Sequence, residues 1–129
     1  MKVILLDTEK QQPQVIETEG GLEEWYRLLR VRLIDIQSLH LNGVYYDFIA
    51  DEEGLFHERA KPTVLDHTNA PLIVGNVIIC RCNEETGEEI GLTDADISEL
   101  LKHVIGVKEK PREDGKEAES WLAICGLEY

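Results

Sequence analysis

The run LIDIQSLHL at residues 33–41 is followed, after Asn42-Gly43, by the run VYYDFIA at residues 44–50. Both runs are rich in β-branched and aromatic residues, which favour strands. Asn-Gly between such runs indicates a type I′ turn, because that turn needs positive φ at both central residues. The sequence therefore predicts a β-hairpin, closed downstream by the acidic turn DEEG at residues 51–54.

A two-residue turn sets the register of this hairpin and places His40 opposite Tyr45, and Ser38 opposite Asp47. Alternation then puts an apolar set on one face of the hairpin, namely Leu39, Leu41, Val44, Tyr46 and Phe48. The other face is apolar at one end and polar beside the turn. On that face His40, Tyr45 and Asp47 form a candidate ligand site, although a solvated strand end is the simpler interpretation.

The chain has 129 residues, which suits one domain, and its 43% hydrophobic and 30% charged content is that of a globular protein. No apolar run is long enough to span a bilayer. The N-terminal segment MKVILLDTEKQQ lacks the length and cleavage site of a signal peptide. We therefore expect no membrane partner and a cytoplasmic location.

Three cysteines, Cys80, Cys82 and Cys125, show neither Cys-x-x-Cys nor zinc-knuckle spacing. Cys80 and Cys82 lie two residues apart on a predicted strand, so they share a face and are not expected to bridge. With His57 or His67 they could bind a soft metal, because thiolate and imidazole suit zinc. Reduced thiols are the simpler interpretation, and we predict no metal and no cofactor.

Net charge is the strongest global feature, since 13 basic against 26 acidic residues give −13 at pH 7. The window between Arg81 and Lys102 contains no basic side chain. Such a field disfavours nucleic acid, whose binding needs cations, and suits a basic protein surface. The predicted partner-binding carboxylates are Asp51, Glu52, Glu53, Glu84, Glu85, Glu88, Glu89, Asp94, Asp96 and Glu99. A role in solubility alone is the alternative.

Two amphipathic helices are predicted from apolar residues recurring at i, i+3, i+4 and i+7. The first is LEEWYRLLR at residues 22–30. The second begins at Thr93, with Asp96 in a capping-box position, and ends at Gly106. Apolar and β-branched runs predict strands at residues 2–6, 14–18, 33–41, 44–50 and 72–82.

These elements predict an α+β domain over residues 1–106, in which a mainly antiparallel sheet of about five strands carries both helices on one face. Residues 56–71 are expected to form a loop. Residues 107–129 are expected to be a charged linker and a short apolar segment that packs on the core or docks on a partner. Two short helices leave part of the second hairpin face uncovered, which predicts a homodimer.

Three arginines, Arg27, Arg30 and Arg32, form a concentrated positive patch at or beyond the end of the first helix. Cations are favoured at that position by the helix dipole, which gives them a structural role. An anion site is the alternative, because the guanidinium fork matches two oxygens.

Four segments follow one another along the chain: the strand MKVILLD, the helix LEEWYRLL, the turn DEEGL at residues 51–55 and the strand LIVGNVIIC. In this pattern the first 105 or so residues resemble the bacterial and phage family catalogued as domain of unknown function 3846. Two segments depart from the family pattern: VRLI at residues 31–34 replaces Val-Gly-Gly-Tyr-Ile, and AKPT at residues 60–63 replaces Leu-Pro-x-Asn. The resemblance implies a phage or conjugative-element context and names no reaction.

The acidic surface and this resemblance together predict a non-enzymatic accessory protein of a phage or mobile element. Its expected partner is a host protein with a basic surface, such as a defence nuclease or a DNA-binding protein, which would make it an anti-defence protein. A small-ligand or nucleotide-binding protein, or an enzyme, using His40, Tyr45 and Asp47 is the alternative. No nucleophile motif, phosphate loop or metal-ligand spacing supports catalysis.

Overall fold

The computed structural model describes residues 1–54 and 60–129, which contain ten strands and two helices. In chain order they are β1 (Lys2–Leu6), β2 (Gln14–Glu17), α1 (Leu22–Leu29), β3 (Ile34–Leu41), β4 (Val44–Asp51), β5 (Pro62–Leu65), β6 (Pro71–Val74), β7 (Val77–Cys82), β8 (Glu89–Ile90), α2 (Asp94–Leu101), β9 (Val104–Lys108) and β10 (Ser120–Ile124).

The hairpin predicted around Asn42-Gly43 is confirmed as β3 and β4, with the predicted register, including His40 opposite Tyr45. Asn42 has a φ of 51° and Gly43 a φ of 82°, as a type I′ turn requires. The apolar face of the hairpin lies in the core, where Leu39 and its neighbours are buried.

The strands form two sheets, where the sequence predicts one sheet of about five strands. The larger sheet has the order β2-β1-β7-β4-β3, with β8 paired to β7, and the smaller has the order β6-β5-β10-β9. Most described pairs are antiparallel, and β10 pairs with β5 in parallel. The mainly antiparallel α+β class is confirmed. The strand number is higher than predicted for three reasons. β5 and β8 have only four and two residues, β9 has the apolar spacing of a helix, and residues 72–82 form two strands.

Gly75 explains why the single strand predicted at residues 72–82 is wrong. Gly75 has a φ of 91°, which glycine adopts without steric clash because it lacks a Cβ atom. The chain turns at this residue, between β6 and β7. The Gly75 N–H donates to Lys61 O at 2.9 Å, and Thr63 Oγ1 donates to Gly75 O at 2.6 Å. The apolar run on the two sides of Gly75 therefore enters two different sheets.

The larger sheet is covered on both faces. On one face α1 buries Trp25 and Leu29 against Val3, Leu5 and Ile78. On the other face α2 and the smaller sheet contribute a second cluster, which includes Leu100, Val64 and Ile124 together with Leu39 and Phe48. The prediction that both helices lie on one face is wrong, because the smaller sheet and α2 share the second face.

Residues after Leu101 leave the helix, although the sequence predicts that it continues to Gly106. The start of α2 is as predicted, since Thr93 and Asp96 form a reciprocal capping box. At the other end Val104–Lys108 is strand β9, whose β-branched residues pair with β10. Apolar spacing at i+7 is compatible with both structures, and pairing with β10 favours the strand.

The predicted boundary at residue 106 falls inside β9, so the ranges 1–106 and 107–129 share one sheet. The linker is shorter than predicted, since it begins after Lys108. Packing of the C-terminal segment on the core is confirmed: Trp121 is 8% exposed and its Nε1 donates to Pro62 O at 2.7 Å.

The loop predicted at residues 56–71 contains β5 and the first residue of β6. The predictions that involve Leu55, Phe56 and His57 lie outside the described residues. Within the described ranges, neither helix is long and apolar enough to cross a lipid bilayer.

Candidate functional site

The larger sheet has two ends of different charge, which follow from the strand directions. β1 begins beside the end of β7, because Ile4 is opposite Ile79, and β4 begins there too. β4 has eight residues and so carries the chain about 26 Å to the other end. The acidic end, where β1 and β4 begin, carries Glu17, Glu19, Glu23, Glu84, Glu85, Glu88, Glu89 and Asp94.

The carboxylates of the acidic end come from segments that are distant in the chain. Glu17 is opposite Lys2, and Glu89 is opposite Cys82. Lys2 Nζ lies 3.3 Å from Asp94 Oδ1. A shallow hollow of about 660 Å³ is lined by Glu17, Glu19, Glu23 and Glu24 beside the N-terminal residue. Glu17, Glu19 and Glu23 extend the predicted acidic surface, whereas Glu24 pairs with Arg27. Sequence reasoning missed these three carboxylates because they lie outside the charge-dense window.

The side chains of Glu84, Glu85 and Glu88 are exposed on the turn between β7 and β8. The Asn83 side chain accepts from the Glu85 N–H at 2.9 Å, and Gly87, with a φ of 75°, completes the turn. Within the part of the chain that the structure describes, none of these three carboxylates forms an ion pair. Their charges therefore face solvent and are available to a partner.

Asp96, one of the predicted partner-binding carboxylates, is only 7% exposed and is bonded within the fold. Its Oδ2 accepts from the Thr93 N–H at 2.9 Å, and its Oδ1 lies 3.2 Å from Arg81 Nη1 and 3.4 Å from the Tyr46 hydroxyl. Burial opposes ionisation, but the Thr93 hydrogen bonds and the Arg81 charge outweigh it and lower the pKa of Asp96. Burial and the nearby Asp96 charge raise the pKa of Tyr46 to about 12.

Glu99 joins α2 to the hairpin turn, since its Oε1 accepts from Asn42 Nδ2 at 2.9 Å. That hydrogen bond, followed by the charge of Lys102, lowers the pKa of Glu99. The Glu99 carboxylate is thus engaged within the fold, unlike those of Glu84 and Glu88.

The turn residues Asp51, Glu52 and Glu53 lie at the opposite end of β4 from the acidic end. Glu53 pairs with Arg32 through two bonds of 2.8 and 3.0 Å, and Asp51 Oδ1 accepts from the Glu53 N–H. The predicted contact surface is therefore not continuous, and this turn is separate from residues 84–94.

A cleft of about 1040 Å³ occupies this opposite end, which we call the cleft end. The basic residues that line it are Arg27, Arg30, Arg32 and Lys61. Each has a carboxylate partner: Arg27 has Glu24 at 2.6 Å, Arg30 has Asp7 at 3.0 Å, Arg32 has Glu53 at 2.8 Å and Lys61 has Glu119 at 3.2 Å. The cleft is therefore close to neutral, which favours the structural role of the arginines over an anion site.

The predicted ligand site is only partly assembled. The rings of His40 and Tyr45 lie 5.1 Å apart, but Asp47 is 8% exposed and accepts from Ser38 Oγ at 2.7 Å. None of the three lines either of the cavities described above. His40 instead contacts Glu128, with its Nε2 3.5 Å from Glu128 Oε2. His40 thus holds the C-terminal segment beside β3.

The surroundings of Cys80 and Cys82 oppose formation of the reactive thiolate. Cys80 is fully buried, and burial together with the Asp47 charge raises its pKa. The same causes raise the pKa of Cys82. His67 lies beside Glu128, not beside Cys80. Among the described residues, no group of three or more His, Cys, Asp or Glu has the geometry of a metal site.

The fold and its surface define a small α+β protein with a polarised charge distribution and, among the described residues, no assembled metal site. The chain belongs to the family described as domain of unknown function (DUF3846), whose model matches residues 1–105. The matched region ends within β9 and leaves out β10, which pairs with β9 and β5. No curated protein and no solved structure matches the chain.

Proposed function

We propose that this chain is a non-enzymatic, cytoplasmic binding protein that docks its acidic end on a basic surface of a partner protein. The observation that carries the proposal is the separation of charge within the fold. Among the described residues, the exposed carboxylates of Glu84, Glu85 and Glu88 form no ion pair and lie at one end of the larger sheet. The main arginine patch is paired with carboxylates at the other end.

This separation supports docking over a role in solubility alone. Solubility requires charge anywhere on the surface, but a field concentrated at one end orients an approaching basic partner and speeds its association. The exposed glutamates of the turn between β7 and β8 also need to break few hydrogen bonds within the protein before they can bind lysine or arginine side chains. The family resemblance supports the further proposal that this chain belongs to a phage or mobile element and that its partner is a protein of the host.

The test compares two variants that remove the same charge at different places. Glu84→Gln with Glu88→Gln changes the acidic end, and Glu113→Gln with Glu117→Gln changes exposed residues between β9 and β10. Proteins retained by the immobilised wild-type chain are identified from host lysate, purified and titrated by calorimetry. We expect the first pair to weaken binding at least tenfold and the second to change it less than twofold.

Salt provides the independent check, since the Debye length is about 10 Å at 0.1 M and about 3 Å at 1 M. Binding through the acidic end weakens steeply over this range. Equal affinity at low and high salt, or equal loss in both pairs of variants, would show that the acidic end is not the docking surface.

A further inference from the structure

β3 is an edge strand whose outer backbone groups are partly free. In an antiparallel ladder the N–H and C=O of alternate residues point to opposite sides. His40 uses its pair on the outer side, donating to Glu128 O at 2.8 Å and accepting from the Glu128 N–H at 3.0 Å. By alternation the groups of Ile34, Ile36 and Ser38 point to the same side. Within the described ranges, no strand pairs with them there.

This edge lacks the features that protect the other sheet edges from pairing with another chain. β2 has four residues, β6 begins with Pro71 and has register shifts within its pairing to β5, and β9 contains Gly106 and Lys108. β3 has eight residues in unbroken register with β4, and its charged residue is Asp35. Apolar side chains flank the open edge: Leu33 is 45%, Ile36 44% and Tyr45 55% exposed.

We propose that a second copy of this chain pairs its β3 antiparallel with this edge, about a twofold axis at Ile36. In this register Ile36 is opposite the partner's Ile36, and Ser38 is opposite the partner's Ile34. Every opposed pair exchanges two backbone hydrogen bonds, so all three open positions on each strand are satisfied. The two Ile36 side chains then cover each other on the same face of the continuous sheet.

Charge favours a second copy as the occupant. In antiparallel pairing the second copy runs in the opposite direction. The two acidic ends therefore lie far apart, and each lies at the same end of the paired strands as the partner's cleft end. Glu128 occupies the edge position opposite His40, so the ladder between the two copies ends at Ser38. The partner's chain therefore leaves the edge before Ile34.

The proposed contact differs from the homodimer that the sequence predicts through the second hairpin face. Ile49 on that face is fully buried, and Ile34 packs partly against the same cluster under α1. Ile36 and Tyr45 remain exposed at the rim. The contact therefore moves from the face of the sheet to its edge.

Light scattering of the full chain with a matched pair of variants tests the proposal. Ile36→Lys and Val15→Lys each place a lysine at an exposed apolar position of an edge strand, and each lowers the net negative charge by one. We expect the wild type and Val15→Lys to be dimers, with twice the chain mass of 14.7 kDa. Ile36→Lys should be a monomer, with the mass of a single chain. Repulsion between the net charges of the two chains cannot explain such a loss, because the lysine lowers the net negative charge. The two lysines repel each other only if residue 36 of one copy is opposite residue 36 of the other, so the loss reports the proposed register.

A disulfide cross-link gives a second readout, which detects the dimer without having to disrupt it. Opposed residues of a hydrogen-bonded pair have Cα atoms about 5.5 Å apart, within the range of a disulfide. Oxidised Ile36→Cys should form a covalent dimer that reducing agent dissociates, whereas Val15→Cys should not. A wild-type mass of 14.7 kDa, a dimer retained by Ile36→Lys or dimer loss in both lysine variants would overturn the proposal.

Discussion

At the scale of single residues, the charged side chains divide into those that hold the fold and those that face a partner. Asp96 and Glu84 both belong to the acidic window and look alike in the sequence. Asp96 is buried among Thr93, Arg81 and Tyr46, whereas Glu84 is exposed. The two kinds of carboxylate should respond differently to mutation.

Asp96→Ala should lower the free energy of unfolding by about 2 kcal/mol, because it removes a helix cap and leaves the Arg81 and Tyr46 groups without their acceptor. Asp94→Ala, at a side chain that is 91% exposed, is the matched control and should change it by less than about 0.5 kcal/mol. Urea denaturation followed by circular dichroism measures both. Equal effects would contradict the structural role of Asp96.

The pH dependence of the same substitution follows from the lowered pKa of Asp96. A carboxyl with a folded pKa below its unfolded value stabilises the fold above the unfolded pKa, and this contribution is lost as pH falls through the folded pKa. The stability gap between wild type and Asp96→Asn should therefore be constant from about pH 5 to 7 and shrink below about pH 4. Urea denaturation across this range tests it, and a gap that widens in acid would contradict the assignment.

Arg30 has a φ of 58°, a left-handed conformation that is strained for a residue with a side chain. Arg30→Gly removes this strain and the Asp7 ion pair, whereas Arg30→Ala removes the ion pair and keeps the strain. We expect the glycine variant to be more stable than the alanine variant by about 1 kcal/mol in urea denaturation. The reverse order would show that the backbone conformation at residue 30 is not left-handed.

At the scale of elements, Gly75 and Gly106 occupy positions that the sequence does not distinguish. Gly75 has a φ of 91° and redirects the chain between two sheets. Gly106 is within β9, opposite Leu122, and a Cβ there would meet nothing within 4 Å. One glycine is needed for its backbone conformation, and the other is not.

Gly106→Val should therefore leave the stability unchanged or raise it by up to about 1 kcal/mol, because a β-branched residue suits an exposed strand position. Gly75→Val should lower it by more than about 1 kcal/mol, since its φ is strained for valine. Thermal unfolding of both variants measures the difference. A strong loss at Gly106 would instead favour a helix that ends at this residue, as the sequence predicts.

At the scale of the whole molecule, the charge of −13 opposes folding because like charges repel when the chain is compact, and eight of the carboxylates are gathered at one end of the sheet. Salt screens this repulsion, so Tm should rise as ionic strength increases from about 0.01 M to 0.15 M. Glu84→Gln with Glu88→Gln should raise Tm at low salt and reduce the salt effect. A Tm that falls with salt would show that ion pairs such as Arg30 with Asp7 outweigh the repulsion.

The sequence by itself determined the hairpin with its register, the start of α2 at Thr93 and the α+β class. These features depend on local chemistry: the positive φ of Asn42-Gly43, the capping box and the spacing of apolar side chains. The charge excess was equally readable. Such signals involve residues within a few positions of one another, so no knowledge of the distant chain is needed.

Only the tertiary structure decided the division into two sheets, the end of α2 and the location of each carboxylate. β9 forms because β10 lies beside it, and β10 is recruited from beyond a charged linker. Glu17 joins Asp94 at the acidic end, and Glu53 is separated from it, because strand direction places residues at one end or the other. Pairing between distant segments depends on the summed burial of the whole core, which no local pattern contains.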